Sequence, residues 1–197
     1  MITKQALIII DQQKGIDHPK LGVRNNPGAE NIILHLLKQW REKNLPIIHV
    51  KHRSKDPESV FWPHQEGFDF KKGFEPQNNE PTIEKQTPCA FTNTSLLDYL
   101  EENNINSFVL VGVATNNSIE STARTGGNLG LDVTVLEDGC FTFSKNDYNG
   151  SPRTADEVHA MSLANLSGEY ASILHSSKIM SQKPNNNRQQ DAAVGVR

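Results

Sequence analysis

Ala6-Leu7-Ile8-Ile9-Ile10-Asp11 sets five consecutive apolar residues directly before an acid. A half-exposed strand alternates apolar and polar side chains. This run is apolar throughout, as expected for a strand covered on both faces of a parallel sheet, so it reads as a central strand. Working outward, Ile32, Ile33, Leu36, Leu37 and Trp40 recur at helical spacing, and Pro46 follows a polar break before Ile47-Ile48-His49-Val50. The order is therefore strand, helix, strand. Leu96, Leu97 and Leu100 mark one face of a helix that leads into Phe108-Val109-Leu110-Val111. A helix from about Asn117 to Leu129, stopped by Gly130, precedes the strand Val133-Thr134-Val135-Leu136. A last helix from about Ala155 and a strand near Tyr170 to Leu174 complete the set. With right-handed crossovers, this alternation predicts an α/β protein of three layers, α/β/α, around an open, mostly parallel, Rossmann-like sheet.

The chain has 197 residues, which suits one domain with a sizeable core. That domain is expected over residues 1–180. The tail, 181–197, carries Asn185-Asn186-Asn187 and Gln189-Gln190 with too little apolar content to pack, and is expected to be flexible. Lys and Arg number 20 against 23 Asp and Glu, a net charge of -3, so nucleic acid is not an expected partner. The longest apolar runs are a fraction of the roughly 20 residues a spanning helix needs, which argues against a membrane partner. Cys89 and Cys140 are the two cysteines, and no charged-then-apolar leader is visible. Both features argue against a disulfide framework and for a cytoplasmic location. Residues 52–81 are long for a connection and rich in Pro, Gly and aromatics, including Phe61, Trp62, Phe68, Phe70 and Phe74. A loop of this kind is expected to pack over a site.

In open parallel sheets ligands bind beyond the carboxyl ends of the strands. Asp11 follows the first strand, either as a cap of the strand end or as a catalytic carboxylate. His52 follows the second, without a partner at metal-ligand spacing. After Phe108 to Val111 comes Gly112-Val113-Ala114-Thr115-Asn116-Asn117-Ser118. The glycine permits a sharp turn, Thr115 or Asn116 can cap a helix, and the free N–H groups of a first helical turn suit an oxyanion. Ser118 taken alone is a common helix-start residue.

Three ordered segments resemble the isochorismatase-like cysteine hydrolases, a superfamily of nicotinamidases, carbamoyl-amide hydrolases and isochorismatases. They are Leu7 to Gln13, Glu84-Lys85-Gln86-Thr87-Pro88-Cys89-Ala90-Phe91, and Gly112 to Ser118. Asp138 to Phe143 and Val158 to Leu163 extend the resemblance, which covers about residues 5 to 175. Any one motif is weak, while the ordered set is specific.

The resemblance implies a catalytic triad of Asp11, Lys85 and position 118, where this chain carries Ser118 in place of the family's cysteine. It also implies a cis peptide between Val113 and Ala114, with the backbone N–H groups of Ala114 and Ser118 as oxyanion donors. Gln13, His52, Phe61, Trp62, Phe91 and Asn117 are the expected pocket residues. No metal, no cofactor, a small-molecule substrate and a homodimer or homotetramer are expected. Cys89 and Cys140 are expected to be structural. The implied activity is hydrolysis of a small amide or carbamoyl substrate, impaired because a serine hydroxyl is far less acidic than a thiol. Two alternatives stand beside it: a vinyl ether hydrolase of the isochorismatase type with Asp11 as general acid, and a non-catalytic binding protein on the same scaffold.

Overall fold

The computed structural model describes residues 5–180, so the flexible tail expected over 181–197 lies outside the described residues. The sheet strands are β1 (Gln5–Ile10), β2 (Ile47–His52), β3 (Thr82–Lys85), β4 (Ser107–Val113) and β5 (Asp132–Phe141). A short pair, β6 (Lys145–Asn146) and β7 (Pro152–Arg153), stands apart from the sheet, and β8 (Ser172–Leu174) returns to it. The helices are α1 (Ala29–Glu42), α2 (Leu96–Glu102), α3 (Glu120–Asn128), α4 (Ala155–Leu166) and α5 (Ser177–Met180).

The six sheet strands run in the order β3-β2-β1-β4-β5-β8, and every neighbouring pair is parallel. Their side chains explain the unbroken apolar run of β1. Leu7 and Ile9 pack with Ile33, Leu36, Leu37 and Trp40 of α1 on one face. Ala6, Ile8 and Ile10 pack on the other with Leu96 and Leu100 of α2, Ala123 of α3, and Leu163 and Leu166 of α4. Burying both faces leaves no position where a polar side chain would meet water. The result is the three-layer α/β/α architecture.

From β1 the chain moves outward through β2 to β3, then crosses back and builds β4, β5 and β8 on the other side. Strand order therefore reverses between β1 and β4. A crevice opens beyond the carboxyl ends of two strands at such a point, because their connections leave in opposite directions.

Three elements depart from the sequence-based expectations. The strand Thr82–Lys85 was not anticipated, since Ile83 is its one strongly apolar residue and an edge strand needs no long apolar run. The fifth strand continues to Phe141 instead of stopping at Leu136. Pairing with β4 shifts register between Leu110 and Gly112, and a β-bulge absorbs the polar residues Glu137 and Asp138 that looked like a strand end. The helix expected from Asn117 begins as a wide π-turn over Thr115–Ile119, and α3 proper starts at Glu120.

Candidate active site

Side chains from the carboxyl ends of β1 and β3 and from the turn after β4 meet at the reversal point. Asp11, directly after β1, has φ +54°, a left-handed conformation that the short polar side chains of Asp and Asn tolerate better than most. Its N–H donates to the Val50 carbonyl at 2.8 Å, which fixes the backbone from which the carboxylate projects. Gly112 pairs with Ile10 across the β1–β4 seam. A Cβ there would run into the Ile10 backbone, and φ is +123°, so only glycine lets β4 lie this close to β1. Lys85 ends β3, two strand spacings or about 10 Å from β1, a gap that needs a long side chain.

That side chain brings three polar groups together. Lys85 Nζ donates to Asp11 Oδ2 at 2.7 Å and to Ser118 Oγ at 3.1 Å. The Ser118 hydroxyl donates to the same Asp11 Oδ2 at 2.9 Å. Exposure is 1% for Lys85, 5% for Asp11 and 4% for Ser118. Asp11 Oδ1 is buried without a hydrogen-bond partner in the protein. An ion pair this dry gains little net stability, because desolvation of both charges offsets their attraction.

The turn carrying Ser118 is built by local geometry and by α4. The Val113–Ala114 peptide is cis. Asn117 and Ile119 both donate their N–H groups to the Ala114 carbonyl, at 3.0 and 3.2 Å, passing over the N–H of Ser118 between them. Behind the turn, His159 Nδ1 lies 2.8 Å from Thr115 Oγ1, and Ser162 Oγ lies 2.9 Å from the Thr115 carbonyl oxygen. Burial pushes the pKa of His159 below the usual imidazole value, so the ring is neutral near pH 7.

Asp11 and Ser118 open onto a cleft of about 560 Å³. Ile16, Leu21, Phe61 and Phe143 supply apolar lining, and Asn116, Asn117, Thr142, Ser144 and Lys145 supply polar lining. His52 also lines the cleft, with its ring edge-on to Phe61 at 5.8 Å between centroids. Burial first, and the nearby Lys85 charge second, lower the His52 pKa. It too is a neutral imidazole.

The structure thus brings Asp11, Lys85, Ser118 and Ala114 together, with His52, Phe61 and Asn117 at the same cleft. Gln13, Trp62 and Phe91, expected in the pocket, are elsewhere. Gln13 is fully buried and clamps the long loop: its Oε1 accepts from His52 N at 2.7 Å, and its Nε2 donates to the carbonyls of His52 and Phe68, both at 3.0 Å. Phe91 is half-buried and packs against the core, beside Phe108 with 6.3 Å between ring centroids. Trp62 closes a turn by donating its backbone N–H to the Ser59 carbonyl at 3.1 Å, and its neighbour Phe61 reaches the cleft in its stead.

Asn116, Thr142, Phe143, Ser144 and Lys145 were not anticipated as lining residues. All but Asn116 follow the carboxyl end of β5, where the strand-end rule would have found them had the strand been read to Phe141. Cys89 does not line the cleft and donates to Thr125 Oγ1 at 3.2 Å. Cys140 is fully buried, and burial raises its thiol pKa well above the ordinary range. Among the described residues, no group of three or more His, Cys, Asp or Glu side chains could hold a metal ion, and no helix is long and apolar enough to cross a membrane.

A family model described as the isochorismatase domain matches residues 5–174. The chain is 38% identical over 180 residues to the uncharacterized isochorismatase family protein YrdC of Bacillus subtilis (strain 168), an alignment covering 91% of this chain and 96% of that protein. The crystal structure of an isochorismatase-family protein from Chromobacterium violaceum ATCC 12472 matches with a TM-score of 0.88 and 48% identity, over 90% of this chain and 92% of that one. Nicotinamidase 3 of Arabidopsis thaliana is more distant, 24% identical over 187 residues that span 88% of this chain and 86% of that protein.

Proposed function

The chain belongs to the isochorismatase family of hydrolases, and from that premise we propose that its cleft is built to hydrolyse a small amide or carbamoyl compound through Asp11, Lys85 and residue 118, with serine at 118 slowing the chemistry. The observation that carries this reading is the shared acceptor. Asp11 Oδ2 accepts a hydrogen bond from the Ser118 hydroxyl at 2.9 Å while Lys85 donates to the same oxygen at 2.7 Å. A carboxylate so placed is a general base aimed at a nucleophile, and the ammonium beside it offsets negative charge that builds on Oγ.

Each step then follows. Ser118 Oγ attacks the carbonyl carbon as its proton passes to Asp11, forming the C–O bond and moving the carbonyl π electrons onto oxygen. The N–H groups of Ala114 and Ser118 hold that oxyanion. Collapse breaks the C–N bond, and the departing nitrogen takes the proton from Asp11. Water, deprotonated by Asp11, then cleaves the acyl ester and returns the proton to Ser118. The difficult step is the first. A thiol near its ordinary pKa is a few per cent thiolate at pH 7 and intrinsically nucleophilic, whereas a serine hydroxyl offers almost no alkoxide. An amidase-type relative, Nicotinamidase 3, is consistent with this class of reaction.

Two observations weigh against the other readings. A vinyl ether hydrolase that works by general acid alone needs no nucleophile, whereas Ser118 Oγ is hydrogen-bonded to both Asp11 and Lys85 at the cleft. A purely structural role for the pair sits poorly with the cost of burying two charges, which apolar residues of similar volume would avoid.

The test is ammonia release from a panel of small amides and carbamoyl compounds by the parent chain and by Ser118→Cys. The cysteine form is expected to exceed the parent by at least about tenfold, as its thiolate fraction implies. Inactivity of both forms across the panel would remove this proposal.

A further inference from the structure

Lys145 bears on the substrate itself. It lines the cleft, and it makes no ion pair among the described residues. The acids nearby are engaged elsewhere. Asp147 holds Arg153 at 2.8 Å, Glu120 holds Arg124 at 3.0 Å, and Glu157 accepts the N–H of Thr154 at 2.8 Å. Lys145, which is exposed, therefore stands where the cleft meets the neighbouring pocket beside α4, with no ion-pair partner among the described residues.

Its neighbours also offer donors. Thr142 donates its hydroxyl to Asn116 Oδ1, an arrangement that leaves the Asn116 amide hydrogens uncommitted beside the same cleft. Ser144 adds a hydroxyl. Among the described residues, Asp11 is the one carboxylate lining the cleft, and its Oδ2 is already taken by Lys85 and Ser118. The imidazole of His52 is uncharged, so it does not compete with Lys145 for an anion.

We propose that the cleft selects amides whose far end carries a carboxylate, with Lys145 and Asn116 as the residues that recognise it. This rests on the amide-hydrolase reading and adds the substrate's charge to it. One cation without an ion-pair partner among the described residues matches a carboxylate's one negative charge better than the larger charge of a phosphate monoester. Phe61 and Phe143 supply apolar lining suited to the stretch between the scissile carbonyl and the anionic end.

The experiment compares succinamate with succinamide, its neutral diamide counterpart, as ligands of the parent protein by thermal shift and calorimetry. Stabilisation by succinamate in excess of succinamide is expected, since a ligand that binds only the folded state raises its midpoint. Lys145→Met should weaken succinamate binding by about fivefold, in keeping with one solvent-exposed charge pair, and abolish the preference for succinamate over succinamide. Equal binding of the two compounds, binding of neither, or a preference that survives Lys145→Met overturns the inference. Ammonia release by Ser118→Cys separates the two proposals. Turnover of neutral amides only would leave the amide-hydrolase reading standing without the carboxylate, and Lys145-dependent binding of succinamate with no turnover in the cysteine form would do the reverse.

Discussion

Replacing Lys85 by methionine tests the polar centre of the site most directly. Methionine retains an unbranched apolar stem and removes the ammonium that donates to Asp11 Oδ2 at 2.7 Å and to Ser118 Oγ at 3.1 Å. What remains is a carboxylate, 5% exposed, whose Oδ1 already lacks a partner. Breaking a buried pair from one side typically costs about 3–5 kcal/mol, because the surviving charge stays desolvated. At about 2–4 °C per kcal/mol for a domain of this size, the thermal midpoint should fall by roughly 6–20 °C. Asp11→Asn should destabilise similarly by stranding the ammonium, and asparagine tolerates the left-handed backbone at φ +54°. The double variant, with neither charge, should recover most of the loss and lie close to the parent. Urea unfolding of all four proteins at pH 7 gives the coupling energy of the cycle. Two single costs that simply add in the double variant would refute the assignment of a buried, mutually dependent pair.

Two further outcomes are expected elsewhere in the fold. Gly112→Ala places a methyl group against the Ile10 backbone at φ +123° and should prevent accumulation of folded protein, or lower stability by more than about 4 kcal/mol, as read by soluble yield and denaturation. Glu80 → Gln tests acid stability: burial opposes ionisation of Glu80, but hydrogen bonds from Arg41, the Gln77 N–H and His49 prevail and hold its pKa at about 2. A folded pKa below the unfolded value of about 4.3 means that the contribution is present above that pH and lost as pH falls toward 2. The stability gap between parent and variant should therefore close over that window in denaturation curves taken at stepped pH. A gap independent of pH would contradict the depressed pKa.

Much of the fold was legible because parallel strands buried on both faces must be apolar throughout. That constraint marks β1 and the core of β4 in the sequence alone, and helical periodicity marks α1 by Ile33, Leu36, Leu37 and Trp40. Strand β3 and the far half of β5 escaped for the complementary reason. An edge strand such as Thr82–Lys85 needs little apolar content, and the bulge in β5 hides polar residues within a strand. The ordered motifs identified Asp11, Lys85 and Ser118 as a set, but not that one carboxylate oxygen would accept from both of the others.

The cleft lining divides along the same line. Chain position alone cannot say which of two adjacent aromatics turns inward, and only the packed loop distinguishes Phe61 at the cleft from Trp62 outside it. Gln13 and Phe91 look like site residues by their nearness to the motifs, yet one staples the loop and the other packs against the core. Local patterns determine which segments become strands and helices, because backbone propensity and burial act over a few residues. Which side chains meet in the crevice depends on how residues as far apart as Asp11 and Ser118 are brought together, and that is decided by strand order, register and the bulge.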